Sequence, residues 1–137
     1  MDDAYGELAV YTLTRGDASF VHQHVVDVRA IKTATAETKP IVVVQSLVGL
    51  YLHAEHGFDG RQVQRVHKVL ADQRPEWPAF ELPDDRGSTT VEEILAVTPG
   101  DERDDAIRRW ARESWAACRA TRDALDAFLR DHGVSPD

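Results

Sequence analysis

The sequence predicts an all-α protein: an irregular bundle of about five main helices and one short helix around a central apolar helix at residues 40–56. Apolar residues recur at spacings of three and four along most of the chain. The longest apolar run exceeds the usual strand length of about 5–6 residues and holds too many polar residues to cross a membrane. Residue types that favour helix ends flank these segments. We therefore expect one helical domain over residues 1–137.

The central helix is predicted to begin at Pro40 and to end before Gly57. Proline suits the first helical position because its missing N–H would be unpaired there anyway. Glycine suits the residue after a helix end, where positive φ is often needed. The β-branched residues at positions 41–44 favour a strand locally, but the length of the run and its flanking residues favour a helix.

Two helices are predicted before the central one. The first runs from about residue 4 to residue 15 and ends at Gly16, and the second runs from about residue 18 to residue 34 with Asp17 as its N-cap. The residues expected to face the core in these helices are Leu8, Tyr11, Leu13, Phe20, Val21, His24, Val25, Val28 and Ile31.

A fourth helix is predicted from Asp59, with Gln62 in the capping-box position and Val69 among its inward residues. Three prolines forbid a continuous helix in the following segment, residues 74–88. We expect this segment to pack on the bundle through its apolar residues, which are Trp77, Phe80 and Leu82.

Two further helices are predicted in the C-terminal third. A capping box at Thr89 or Thr90 opens a short helix over residues 91–97. Thr98 then caps a long last helix over residues 99–132. At 1.5 Å per residue this helix would span roughly 45–50 Å, which is enough to flank the whole domain.

Composition restricts the classes of partner. The formal net charge is −8, and lysine occurs only at Lys32, Lys39 and Lys68. An acidic, lysine-poor surface is typical of proteins from salt-rich environments, and a high-GC genome would also favour arginine. The negative charge argues against nucleic acid and anionic membranes as main partners.

Two further features of the sequence indicate the cellular compartment of the protein. The single cysteine, Cys118, excludes an internal disulfide and gives no thiolate zinc cluster. The first residues lack the basic and apolar blocks of a signal peptide. We therefore expect a cytoplasmic protein.

Five sequence motifs lie between about residues 7 and 130. They are His24 with Val26-Asp27, residues 44–57 with Leu47, Gly49, Leu50, Glu55 and Gly57, the Arg74-Pro75-Glu76-Trp77-Pro78 block, Arg86-Gly87 leading into Thr90-Val91, and the pair Trp110 and Trp115. In these motifs the chain resembles an uncharacterised microbial all-helical family, a domain of unknown function. The resemblance implies a helical fold and brings no established activity.

Members of that family tend to carry Gln-His after the Val-Asp segment and a further histidine in the central helix. Here Lys32-Thr33 and Gln45 hold those places. The departure weakens the case for a metal site in this chain.

His24 and Asp27 are the first candidate site residues. They lie three residues apart on one predicted helix and therefore share a face. A carboxylate beside an imidazole fixes its tautomer and raises its basicity, which suits a general base or a metal ligand. The alternative is a partly buried histidine that is satisfied by its helix neighbour.

A second cluster ends the central helix. His53 and His56 share a face there and could bind a metal if another helix supplied a third ligand. Alternatively, protonated histidines at this helix end would interact with its dipole. Glu55 lies on the apolar stripe, where it could pair with a buried arginine or with His24.

Packing between helices could assemble a composite site. Antiparallel packing of the second and central helices would bring His24 and Asp27 near Gln45 or Leu52, as in metal sites of helical bundles. Separately, Trp77 could anchor a partner in a rigid binding loop, or it could cap the protein's own core.

The leading functional hypothesis is a small binding or interaction domain without complete catalytic machinery, which could form a homodimer. Its pocket would lie near Gln45, Glu55 and Trp77, and its partner would be a protein or a small molecule. The alternative is a metal-dependent helical-bundle enzyme, of hydrolase or transferase type, with a divalent metal at His24 and Asp27. No other cofactor is expected.

Overall fold

The computed structural model of the protein describes residues 3–136. Within that range it forms seven α-helices and one 3₁₀ turn, without a strand. The prediction of an all-α bundle is confirmed. The helices are α1 (Ala4–Arg15), α2 (His22–Thr33), α3 (Pro40–His56), α4 (Gly60–Gln73), α5 (Val91–Leu95), α6 (Asp101–Ala117) and α7 (Arg122–Asp131), with the 3₁₀ turn Arg119–Thr121 before α7.

Helix α3 is the centre of the bundle, as predicted. It contacts α2, α4, α6 and α7, and every residue from 43 to 53 except Gln45 is buried. It begins at Pro40, and Gly57 follows its last residue with φ 71°. A helix that is apolar on nearly all sides is stable in water only when other helices surround it, which accounts for its position.

Helices α2 and α3 pack antiparallel. The ring centroids of His24 and His53 lie 4.0 Å apart, whereas Asp27 lies against Gly49. A higher residue number on α2 thus pairs with a lower one on α3, which gives opposite helix directions.

Helix α2 begins four residues later than predicted, at His22. Asp17 caps a preceding turn instead, because its carboxylate accepts a hydrogen bond from the Val21 amide at 3.0 Å. Phe20 in this turn has φ 52°, which no residue inside a helix adopts.

Two residues expected to face the core are exposed. Leu13 is 56% exposed and Val69 is 48% exposed. Each is the immediate neighbour of a buried residue, Thr12 before Leu13 and Leu70 after Val69, and a step of one residue rotates a side chain by about 100° around the helix. The correct inward residue of α1 is Thr12, which is buried.

The long last helix was predicted wrongly, because it is divided into α6 and α7. The side chain of Thr121 donates a hydrogen bond to the carbonyl of Cys118 at 2.8 Å, and such local bonds compete with the helical pattern. The start was also wrong, since α6 begins after Gly100, whose φ is 108°, and Thr98 caps no helix.

The irregular segment, residues 74–88, is tied to the bundle at several points. Trp77 lies against Phe128 of α7, with ring centroids 5.8 Å apart. Lys32 of α2 donates hydrogen bonds to the carbonyls of Gly87 at 3.1 Å and Thr89 at 2.8 Å. Lys32 therefore holds the end of this segment in place.

Arg103 links three parts of the chain. Its guanidinium donates to the carbonyls of Val97 at 3.1 Å and Leu95 at 2.7 Å, and it lies 4.5 Å above the ring of Tyr11 in α1. The residue is only 9% exposed. The carbonyls at the end of α5 thus depend on this one cation.

We expect Arg103→Met to lower the free energy of unfolding by about 2 kcal/mol, since two partly buried carbonyls lose a charged donor. The exposed Arg109→Met on the same helix is the matched control and should change stability by less than about 0.5 kcal/mol. Urea denaturation measures both variants. Equal effects of the two substitutions would contradict the structural role of Arg103.

Candidate functional site

A cluster of polar side chains lies inside the bundle between α2 and α3. We call it the internal polar cluster, and its members are Gln23, His24, Asp27, Gly49 and His53. His24 and Asp27 are each 1% exposed, and His53 is 9% exposed. The structure therefore joins the first predicted pair with one histidine of the second predicted group.

Asp27 is held in a close-fitting space. Its Oδ1 accepts a hydrogen bond from Gln23 Nε2 at 3.1 Å, while Oδ2 is buried without a partner among the described residues. A Cβ atom on Gly49 would lie 1.9 Å from Oδ2. Burial raises the pKa of Asp27 well above its ordinary value, against a smaller lowering by Gln23. Burial therefore shifts this carboxyl group towards its neutral, protonated form.

Burial favours the neutral forms of the two histidines of the cluster. Burial lowers the pKa of His24 to about 3, and the neighbouring His53 lowers it further. Burial also lowers the pKa of His53. His53 Nδ1 lies 2.8 Å from the Phe58 carbonyl, and since a carbonyl only accepts, Nδ1 carries the proton in this bond. The cluster is thus a polar layer in which burial favours the uncharged form of each titratable group.

The chemistry of this layer suits packing better than metal binding. Metal ligands must be deprotonated, whereas the environment of Asp27 favours its protonated form. Within residues 3–136, no three His, Cys, Asp or Glu side chains are grouped so that they could share a metal ion. Gln45 or Leu52 was predicted as the neighbour of His24 and Asp27 on α3. In the structure, His24 contacts His53, one residue after Leu52, and Asp27 contacts Gly49, three residues before Leu52.

Two predicted pocket residues have structural partners instead. Gln45 Nε2 donates to the His67 carbonyl at 2.9 Å, and His67 Nε2 donates to the Gln45 carbonyl at 2.7 Å. This reciprocal pair ties α3 to α4. Trp77 packs on Phe128, so its observed position matches the alternative in which it caps the core.

Glu55 lies at the surface end of α3. Its carboxylate accepts a hydrogen bond from Trp115 Nε1 at 2.7 Å and pairs with Arg122 at 2.9 Å and Arg119 at 3.8 Å. The arginine side chains are 49% and 67% exposed. An arginine partner was predicted, but it is not buried, and Glu55 does not pair with His24.

Sequence reasoning missed a cleft between the α2–α3 loop and the irregular segment. We call it the loop cleft, and it has a volume of about 370 Å³. The residues that line it are Ala34, Thr35, Ala36, Thr38, Pro40, Val43, Ala79, Phe80, Glu81, Leu82 and Arg86. It forms between stretches that are about 45 residues apart, so no local pattern predicts it.

Arg86 is the most constrained polar residue of the loop cleft. Its Nε donates to the Pro83 carbonyl at 2.7 Å, and its Nη1 donates to the carbonyls of Ile31 at 2.9 Å and Ala34 at 2.8 Å. These bonds fix the guanidinium beside the end of α2. Its Nη2 makes no hydrogen bond to any other residue in the described part of the chain.

Comparison with models of known protein families gives one match. A model of a family of unknown function (DUF5946) matches residues 2–119. The chain belongs to DUF5946. The resemblance inferred from the motifs is thereby confirmed at the level of an uncharacterised family. A search of curated proteins and a search of solved structures gave no match.

The part of this DUF5946 protein that matches the family contains both the internal polar cluster and the loop cleft, whereas α7 lies beyond it. No helix in the described range of this DUF5946 chain is both long and apolar enough to cross a lipid bilayer.

Proposed function

We propose that this protein is a binding domain that takes a small, mainly apolar molecule with one anionic group in the loop cleft. The observation that carries the proposal is the combination of an apolar wall with a fixed guanidinium in one cleft. Val43, Phe80 and Leu82 supply the wall, and Arg86 supplies the cation.

The size and rigidity of the loop cleft support the proposal. Its volume of about 370 Å³ falls in the range of about 300–1,000 Å³ that is usual for small-molecule sites. Arg86 is already held by three carbonyl groups, so binding would order few additional groups, which favours affinity. Its unengaged Nη2 can donate to a carboxylate or phosphate oxygen.

The metal-dependent alternative has less support from the geometry. Its two predicted ligands, His24 and Asp27, are almost fully buried, and Asp27 is occupied by Gln23. The environment of Asp27 also favours the protonated carboxyl, which does not bind metals.

The composition of the chain also supports a proposal about its compartment and its partners. We place it in the cytoplasm, with a small molecule or a protein as its partner, and without nucleic acid or membrane binding. The assignment of partners rests on the net charge of −8, and that of the compartment rests on the single cysteine, Cys118, which cannot form an internal disulfide.

Filling the loop cleft should abolish ligand binding. Ala79 is an exposed residue that lines the cleft, and we expect Ala79→Trp to occupy the space with little loss of stability. Thermal-shift screening of small aromatic carboxylates, with their primary amides as neutral counterparts, measures binding. The carboxylates should stabilise the native chain but not this variant.

Ala124→Trp is the matched control, because Ala124 is exposed on α7 and lines none of the clefts described here. It should bind the same carboxylates as the native chain. Equal stabilisation of all three proteins, or of carboxylates and amides alike, would contradict binding at Arg86.

A further inference from the structure

The loop cleft contains one charge of each sign. Among its lining residues only Arg86 and Glu81 are charged. The guanidinium of Arg86 is fixed by three carbonyl groups, whereas Glu81 is exposed. A ligand in this cleft therefore meets a cation that is held in place and an anion whose side chain can still turn towards it.

The two charged groups of the cleft do not neutralise each other. Glu81 forms no ion pair with Arg86, and its carboxylate makes no hydrogen bond or ion pair with any other residue from 3 to 136. Opposite charges that are unpaired in one site can each take a complementary group from a ligand. A ligand that matches both must carry a cationic group as well as an anionic one.

The charge of the whole chain also favours such a ligand. The net charge is −8, and a field of this sign repels small anions as they approach the protein. A zwitterion has no net charge and is therefore not repelled in this way. Its two charges also sum to zero, as do those of Arg86 and Glu81.

The apolar wall of the cleft indicates the rest of the ligand. Val43 is buried, and Phe80 and Leu82 pack partly against the core. These side chains can cover an apolar group of the ligand, and the ring of Phe80 can contact a second aromatic ring. The cleft thus combines the recognition of a carboxylate, an ammonium group and an apolar side chain.

We propose that the loop cleft binds a free amino acid with an apolar side chain. The carboxylate of the amino acid pairs with Arg86, its ammonium group pairs with Glu81, and its side chain lies on the apolar wall. This assignment rests on the proposed function, to which it adds the ammonium group. A residue within a peptide chain does not fit, because peptide bonds remove both of these charges.

Amide NMR titrations of the ¹⁵N-labelled chain with phenylalanine and with hydrocinnamate test the proposal. Hydrocinnamate is phenylalanine without the ammonium group. Phenylalanine should bind about threefold more tightly, as expected for one exposed ion pair, and raised salt should reduce the difference. Equal or tighter binding of hydrocinnamate would overturn the ammonium contact and leave the proposed function standing. Binding of neither ligand would overturn both.

Variants assign the preference to Glu81. Glu81→Gln should remove the advantage of phenylalanine over hydrocinnamate, because a neutral amide does not attract the ammonium group. Glu76→Gln is the matched control, since Glu76 is an exposed glutamate of the same irregular segment that does not line the loop cleft. It should keep the preference of about threefold. An unchanged preference in Glu81→Gln, or the same loss in both variants, would overturn the proposal.

Discussion

Replacing Gly49 with alanine is expected to lower the free energy of unfolding by about 3 kcal/mol. The added Cβ would lie 1.9 Å from Asp27 Oδ2, 2.8 Å from its Cγ and 3.0 Å from Val63 Cγ1. Relief of such contacts requires the buried Asp27 side chain to turn, or the helices to shift, in a space that has no room to spare, and overpacking of this kind costs about 1–3 kcal/mol. This cost outweighs the gain of up to about 1 kcal/mol that alanine brings to a helix in place of glycine.

Two further variants separate the cost of the clash with Asp27 from the general effect of replacing a helical glycine with alanine. Gly6→Ala in α1 meets no atom within 4 Å and should be neutral or stabilising by up to about 1 kcal/mol. In a background of Asp27→Ala, the effect of Gly49→Ala should shrink, because the clashing carboxyl is gone. Thermal and urea unfolding measure the cycle. Additive effects would show that Asp27 and Gly49 do not share this space.

Acidification should destabilise the protein through its buried histidines. The pKa of His24 is lowered from 6.5 to about 3 in the folded state, so between these values only the unfolded chain takes up the proton. The stability that this residue contributes is present above pH 6.5 and is lost as pH falls towards 3. The full loss is on the order of 4–5 kcal/mol, with roughly half lost by about pH 4.5.

Other buried groups modify this pH dependence. Burial also lowers the pKa values of His22, His53 and His67, which adds to the loss in acid. Asp27 acts in the opposite sense. Its pKa is raised in the folded state, so the destabilisation that it causes at high pH disappears as pH falls through that value.

Variants at His24 and Asp27 distinguish these contributions. In urea titrations at a series of pH values, His24→Leu should lose less stability on acidification than the native chain. Asp27→Asn should be more stable above neutral pH and should show a steeper relative loss in acid, because the opposing contribution is absent. The linkage described here is wrong if both variants keep the pH profile of the native chain.

Strong local signals in the sequence predicted the corresponding elements correctly. Helix α3 begins and ends at the predicted residues because proline and glycine restrict the backbone there. The capping boxes at Asp59 and Thr90 have both of their predicted hydrogen bonds. In each case neighbours in sequence determine the structure.

Helix ends that depend on a single side-chain hydrogen bond or on one unusual φ angle were predicted wrongly. The apolar stripe continues from α6 through α7, and it gives no sign that the Thr121 hydroxyl takes the Cys118 carbonyl and breaks the helix. The start of α2 depends on the positive φ of Phe20, a conformation that the residue type does not indicate.

The candidate sites depend on packing between distant residues. Helical spacing put His24 and Asp27 on one face, but only the antiparallel contact of α2 with α3 brings His53 to them. Gly49 within an apolar helix was a usable signal, since such a glycine often marks a close approach. The loop cleft had no comparable signal, because neither of its two irregular walls has a periodic pattern.

The most direct test of ligand binding in the loop cleft is amide NMR of the ¹⁵N-labelled chain titrated with benzoate. Binding should shift the amide signals of Thr35, Ala36, Val43 and Leu82 and the side-chain N–H signal of Arg86, while those of the internal polar cluster stay unchanged. Shifts confined to other parts of the chain, or absent from Arg86 and its neighbours at saturation, would contradict the proposed site.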